Sequence, residues 1–363
     1  MAMRLGVFVC AVPAVAVGAD GQLEPELVYY GINRPVPMAV RLGDGTGDST
    51  PVIRLVDASN EETIAEATAA AGRVDLAALF PQLWTSEPPR VMYAQLIVNG
   101  ETVGAPVVIQ PMSPPARSKD GLTSIVMRLF EKNDAAGLSA LMKMQPAERA
   151  RLRGTVEIDP ARGKPSCIRA WARRNVVLET EAGPVEIALR PDQAPNTCFH
   201  FVQLVEGGFY RGVVFHRVAT DGPQGKPFII QTGDPTGTGS GGAGFMIDFE
   251  VSKLPHEFGV VSMARLPDDP NSNGSQFMIC LSREGCAGLD GQYVSFAQVV
   301  AGADVVRTIA ASPVGPRNSD DPASVRDRPL RPVEIKAAKT VPAPPLGKGA
   351  RPAKEEDVKP VER

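Results

Sequence analysis

The sequence predicts a mainly β protein made of two folded units. Three observations carry this: its length, its richness in chain-bending residues, and a recurrent alternation of apolar and polar side chains. At 363 residues the chain exceeds the usual size of one domain and can bury two cores. Its 34 prolines and 35 glycines imply many turns and short strands, which argues against an all-helical architecture. Two-residue alternation, the period of a strand with one buried face, recurs in both halves of the chain.

At the N-terminus, Arg4 precedes a mostly apolar run from Leu5 to Val17, and small residues follow at Val17-Gly18-Ala19. This order predicts an export signal over residues 1–19 and a periplasmic or extracellular location. The alternative is a buried first strand in a cytoplasmic protein, which Pro13 weakens. The run is too short to span a bilayer.

Between residues 20 and 111 strands are expected at Val28–Leu42, Val52–Val56, Val91–Val98 and Thr102–Ile109. Asn99-Gly100 between the last two is a strong two-residue hairpin signal. Glu61–Leu79 is alanine-rich and is expected to include a short helix. The region reads as a small β-rich domain, a sandwich by pattern, whose role the sequence does not indicate. Residues 112–174 read as a linker and helical segment. Met112–Lys119 contains Pro114-Pro115, then Leu122, Ile125, Val126, Leu129 and Phe130 recur at helical spacing, and Asp134–Met144 with Ala147–Leu152 suits a further helix or pair. The basic run Arg169–Arg174 reads as a solvated stretch ahead of a strand.

From Asn175 the pattern changes. Val176 and Leu178, then Val185, Ile187 and Leu189, alternate on either side of Ala182-Gly183, as two antiparallel strands joined by a turn would. Pro191–Pro195 ends the second strand, and Asn196–Glu206 places Phe199, Phe201, Val202 and Val205 on one helical face. Val333–Ala337 is a last short strand, after which the Pro- and Lys-rich residues 339–363 read as a disordered tail.

Composition excludes several functions. A formal net charge of −3 provides no broad basic field for phosphates, so no nucleic-acid role is expected. The five cysteines, Cys10, Cys167, Cys198, Cys280 and Cys286, show neither CxxC spacing nor companion histidines, so neither a metal nor a cofactor is expected. Four would remain after signal removal; spacing leaves their pairing open.

Two segments carry the chemistry. The first is FYRGVVFHRV, from Phe209 to Val218, followed by FIIQTGDPTGTGSGG, from Phe228 to Gly242. The second is SMARLPDDPNSNGSQFMIC, from Ser262 to Cys280, followed by LDGQYVSFAQVV, from Leu289 to Val300. Together they resemble the cyclophilins, and APNTCFHFVQLVEGGFY, from Ala194 to Tyr210, is similar to that family's first helix. The likeness extends over about Asn175–Lys336. It implies a closed eight-stranded antiparallel β-barrel over residues 175–338, capped by two helices, with a proline-binding groove on its outer face. It also implies peptidyl-prolyl cis-trans isomerase activity on proline-containing polypeptides, in support of protein folding. Matched position by position, Arg217 falls on the catalytic arginine. Phe228, Ile229, Met278 and Leu289 fall on the proline pocket, and Gln231, Ala264, Arg265, Gln276 and Tyr293 on other substrate-binding positions.

An X-Pro bond rotates slowly because amide resonance raises a barrier of about 18–20 kcal/mol. Catalysis requires only that the twisted state be favoured, and a guanidinium suits this because it stays protonated and presents donors in a fixed plane. His216 beside Arg217 is read as structural, since rotation transfers no proton. Gly237-Thr238-Gly239-Ser240-Gly241-Gly242 satisfies GxGxxG but lacks a strand-to-helix transition, so no nucleotide site is expected there. Asn273-Gly274-Ser275 fits a glycosylation sequon inside the groove motif, where modification is not expected.

The sequence departs from the family in three places. About six extra residues lie between Arg217 and Phe228, which lengthens the loop at the groove rim. The Gly285–Gly288 loop, at Gly288 or a neighbour, lacks the tryptophan of the best-known members, and Tyr293 stands where many carry histidine; weak cyclosporin binding is expected. Met278 replaces a phenylalanine, which softens the pocket. The alternative function is a proline-peptide binding or scaffold module whose turnover is incidental.

Overall fold

The computed structural model describes residues 21–43, 49–112, 129, 134–145, 165–222, 225–315 and 327–358. The export signal expected over 1–19, most of the helix expected at Leu122–Phe130, and that at Ala147–Leu152 lie outside these residues.

In the first half the strands are β1 (Gly21–Pro25), β2 (Tyr29–Gly31), β3 (Pro37–Leu42), β4 (Val52–Asp57), β5 (Thr63–Thr68), β6 (Gly72–Asp75), β7 (Met92–Val98), β8 (Glu101–Met112) and β9 (Cys167–Ala172). They form a three-stranded sheet, β1-β3-β6, and a six-stranded sheet, β2-β9-β8-β7-β4-β5. Leu23, Met38 and Val40 of the small sheet and Ile53, Leu55, Leu96 and Val107 of the large one share a single core. This is the two-layer burial that alternating strands require. Asn99 and Gly100 take φ of 53° and 82°, the left-handed pair that a two-residue hairpin turn needs.

One expectation is met and one is corrected here. The alanine-rich stretch Glu61–Leu79 includes the expected short helix, α1 (Leu76–Leu79), at its end, and the residues before it form β5 and β6. Pairing of Thr63–Thr68 with β4 and of Gly72–Asp75 with β3 overrides the helical preference of alanine. The basic run is not a solvated stretch: β9 pairs with both β2 and β8, and Arg169 is buried. Its guanidinium donates to Gln110 and Asn196, so its charge is met by oriented amides rather than by water. A further short helix is α2 (Gln82–Thr85), and α3 (Ala135–Lys143) is capped by Asp134, whose Oδ1 accepts from Gly137 N at 2.8 Å.

The second half contains β10 (Arg174–Thr180), β11 (Gly183–Leu189), α4 (Pro195–Glu206), β12 (Arg217–Ala219), β13 (Ile229–Thr232), β14 (Val260–Met263), β15 (Phe277–Cys280), α5 (Arg283–Cys286), β16 (Ser295–Ala301), α6 (Ala303–Ala310) and β17 (Ile335–Pro342). Its sheet runs β12-β13-β15-β14-β16-β11-β10-β17. The expected closed barrel is corrected to an open one: β12 and β17 do not pair as strands. Across the gap the chain before each strand meets at the bridge Val214↔Glu334 and through bonds from Gly212 N to Ile335 O and from Phe215 N to Val333 O. β12 is three residues long, too short to reach the partner strand directly.

The barrel core holds Val176, Leu178, Val185, Ile187, Phe215, Ile230 and Phe296. Helix α4 plugs one end through Phe201, Val202 and Val205. Phe199 departs from the face predicted for it. It packs edge-on against Trp171 at 5.9 Å and lies under the Arg169 guanidinium at 4.3 Å, so α4 is covered on both sides. Its N-terminal N–H groups, at Asn196 and Thr197, are capped from a distance by Glu250 at 3.0 and 2.7 Å, which satisfies donors that no residue within the helix can.

The expected disordered tail is also corrected over its described part. β17 extends to Pro342, and residues 343–358 then cross from one half to the other. Ala343 N donates to Arg173 O, Leu346 N to Gln95 Oε1, and Ala353 N to Val299 O. Glu355 reaches Arg307 of α6 at 3.2 Å. The proline-rich composition lacks periodicity because this segment lies along surfaces instead of building a core. No helix among the described residues is long and apolar enough to cross a membrane.

Candidate active site

Strand alternation sorts the second sheet into an inner and an outer face. Val218, Ile230, Val261 and Ile279 point into the barrel core. Between them, Arg217 is paired with Gln231, Gln231 with Met278, and Met278 with Ser262. Directly opposed residues share a face, so these four form one row across the outer wall. The next row is Ala219, Ile229 and Cys280.

Ile229, Met278, Cys280 and Ala219 join Leu254, Val260, Cys286 and Leu289 in a separate apolar cluster, with Phe228 and Tyr293 packed against its edge. Met278 and Leu289 expose only 3% and 9% of their surface, so the wall presents the edges of its side chains. Beside it lies an open cleft of about 750 Å³ bordered by Gln231, Ala264, Arg265, Gln276 and the loop from Gly239 to Met246. The sequence-predicted positions thus meet in two adjoining parts: Phe228, Ile229, Met278, Leu289 and Tyr293 in the apolar cluster, and Gln231, Ala264, Arg265 and Gln276 around the cleft.

Arg217 opens β12 with its side chain 28% exposed. Its Nη1 faces Gln231 Oε1 at 3.4 Å, and its Nε lies 3.6 Å from Asp327 Oδ2. Gln231 Nε2 donates to Gln276 Oε1 at 2.9 Å, and Gln276 Nε2 donates to Gly239 O and Gly241 O at 3.0 and 2.8 Å. Arg265 stacks over Tyr293 at 4.7 Å and donates to Gln292 O at 3.0 Å, which ties the two sides of the rim together.

Buried ionisable groups line the back of this wall. Burial holds His216 down to about 4, and neither of its ring nitrogens has a hydrogen-bond partner among the described residues. It is therefore neutral at physiological pH and adds no second cation beside Arg217. Asp234 lies at about 2: although burial opposes it, Thr236 and the N–H groups of Gly239 and Gly241 stabilise its charge. The amides that could cradle a phosphate in the GxGxxG stretch are thus already turned toward an internal carboxylate. Asn273 is fully buried, which closes the sequon to modification.

Some supporting residues gave no signal in the sequence. Asp290 follows Leu289 of the apolar cluster and accepts from Arg283 at 2.6 Å; it also meets His256 Nδ1 at 2.9 Å, while His256 Nε2 meets Ser262 Oγ at 2.9 Å. Burial lowers the pKa of His256, and the bonds to Arg283 and His256 hold Asp290 far below the usual carboxylate range against its own desolvation. Leu254 and Asp327 come from loops without periodicity, so only the folded chain shows them. The four described cysteines are free thiols. Burial raises the Cys280 thiol, and its hydrogen bond to Cys286 lowers that neighbour.

The fold and this site define an open β-barrel whose outer wall sets a cation beside an apolar cluster and a cleft. Residues 175–340 match the family described as cyclophilin type peptidyl-prolyl cis-trans isomerase/CLD. The peptidyl-prolyl cis-trans isomerase ppi1 of Schizosaccharomyces pombe is 38% identical over 164 residues, 44% of this chain and 95% of that protein. CYP18-2 of Arabidopsis thaliana is 37% identical over 171 residues, 46% of this chain and 93% of that one. A solved cyclophilin type isomerase of Cryptosporidium parvum, crystallised in the presence of the dipeptide Ala-Pro, is 33% identical over 45% of this chain and 96% of its own, with a TM-score of 0.38. The chain belongs to the cyclophilin-type peptidyl-prolyl cis-trans isomerases, with the isomerase in its C-terminal half.

Proposed function

We propose that the outer wall of the second sheet turns X-Pro bonds of polypeptides and so assists their folding, with Arg217 as the catalytic residue. The row Arg217-Gln231-Met278 carries this reading, because it sets a guanidinium one strand away from the edge of an apolar cluster. Ile229, Met278 and Leu289, rimmed by Phe228 and Tyr293, seat the pyrrolidine ring. Gln231 and Gln276, with Ala264 and Arg265, hold the flanking peptide in the cleft.

As the bond twists, the prolyl nitrogen loses resonance and becomes an acceptor. A guanidinium donor then binds the twisted state more strongly than the planar one, and a gain of about 7 kcal/mol corresponds to roughly 10⁵-fold acceleration. No bond is made or broken, so the chemistry requires neither a cofactor nor a metal. Export rests on the apolar run at the N-terminus, and the β-rich first half is read as a separate unit with its own role.

In the full-length protein, Arg217→Ala should lower kcat/KM on a short Xaa-Pro peptide by about 100-fold or more while peptide affinity changes only a few-fold. Turnover close to that of the unaltered protein would remove Arg217 from the catalytic role.

A further inference from the structure

We propose that Asp327 is a positioning residue for Arg217, holding its guanidinium plane so that the edge not engaged by Gln231 is turned to the substrate. This rests on the reading of Arg217 as the catalytic group.

Four features of the segment before β17 converge on this. Asp327 has φ of 63°, the left-handed region that side-chain-bearing residues rarely adopt, though Asp and Asn tolerate it better than most. Its carbonyl accepts from Val218 N at 2.8 Å, which fixes it beside the residue following Arg217. Its carboxylate then lies 3.6 Å from Arg217 Nε, in a half-buried pair with 28% and 24% side-chain exposure. The neighbouring Arg328 anchors the same segment by donating from Nη1 to Gly237 O, so the chain is tied at Asp327 and at the residue after it.

The geometry leaves a defined division of labour. Arg217 Nε is buried without a hydrogen bond among the described residues, and the Asp327 carboxylate is the anion beside it. Gln231 faces Nη1. A planar fork contacted from Nε and from Nη1 cannot rotate about its long axis without breaking one contact, and Nη2 is held by neither partner. The carboxylate thus restricts the orientation of a donor whose alignment with the prolyl nitrogen decides the rate. Asp327 touches no reacting atom in this scheme.

Asp327→Asn is the decisive variant, because asparagine keeps the size and the left-handed backbone preference and removes only the charge. In the full-length protein it should lower kcat on a short Xaa-Pro peptide by about 10-fold with KM changed less than about 2-fold. Asp327→Glu should recover part of the loss. In a double-mutant cycle, Asp327→Asn should have no further effect once Arg217 is alanine, since its influence passes through the guanidinium. Unaltered kcat in Asp327→Asn, or the same proportional loss in both backgrounds, would overturn the proposal. Full activity in Arg217→Ala alone would instead remove the reading beneath it, and the two failures are separated by the single variants.

Discussion

Gln231 donates its amide to Gln276 Oε1 at 2.9 Å, and this bond determines which end of the Gln231 side chain faces Arg217. With Nε2 committed to Gln276, the oxygen is turned to the guanidinium. Gln276 is oriented in the same way by Gly239 O and Gly241 O. Two amides therefore transmit the position of the glycine-rich loop to the Arg217 guanidinium. Gln276→Leu keeps the volume and breaks the relay. It should lower kcat/KM by about 10-fold while destabilising the fold by no more than about 2 kcal/mol. Steady-state kinetics beside a denaturation curve separates the two effects, and unchanged kinetics would remove the relay.

Acid should weaken the fold before any carboxylate titrates. All three histidines of the chain, His200, His216 and His256, are buried and have pKa values lowered by desolvation. In the unfolded chain they take up protons near 6.5, whereas in the folded state they resist. The unfolded state then binds more protons, and stability declines as pH drops below about 6.5. His216, held at about 4, accounts for about 3 kcal/mol of this by pH 4 at 1.36 kcal/mol per unit. Asp234 acts in a lower window, since its depressed value of about 2 gives stability that disappears only below the ordinary carboxylate range. Urea midpoints at pH 7.5 and pH 5 test this, with the lower midpoint expected at pH 5.

Phe199 joins the halves, with Tyr29 at 6.4 Å, Trp171 at 5.9 Å and Arg169 at 4.3 Å around its ring. Phe199→Ala should cost about 3 kcal/mol by leaving a cavity between α4 and β9. Because the ring lies away from the groove, kcat should change little. A calorimetric scan with an unshifted transition would contradict the described packing.

Ending the chain at Pro342 removes the segment that crosses from Gln95 to Val299 and takes Glu355 from the buried Arg307. A buried cation without its acid is destabilising. The shortened protein should melt roughly 5 °C lower with its turnover on short peptides intact.

Cyclosporin should bind weakly, since Ala287 and Gly288 present no indole between α5 and Leu289. Titration calorimetry giving a sub-micromolar Kd would contradict this.

Local pattern made some of this architecture legible and left other parts hidden, for identifiable reasons. The hairpin at Asn99-Gly100 and the strands flanking Ala182-Gly183 follow from turn chemistry and alternation, which are properties of neighbouring residues. Met278 and Leu289 were placed by ordered motifs, since an apolar residue in a strand does not reveal which face of the sheet it occupies. Arg169 looked solvated because its partners, Gln110 and Asn196, are 59 and 27 residues away. Glu61–Leu79 showed the opposite problem: alanine's intrinsic preference was clear, but the neighbouring strands that override it were not. Asp327 lies in a run of mixed charge, and only the returning chain brings it to Arg217.

The double coverage of α4 bears on any attempt to move the catalytic half onto another carrier. A piece cut at residue 174 would carry Phe199 to its surface with the cover of Trp171 and Arg169 gone, leaving a bare aromatic flank suited to self-association. Transplantation would call for polar replacements on that flank, or for keeping β9 attached as a lining.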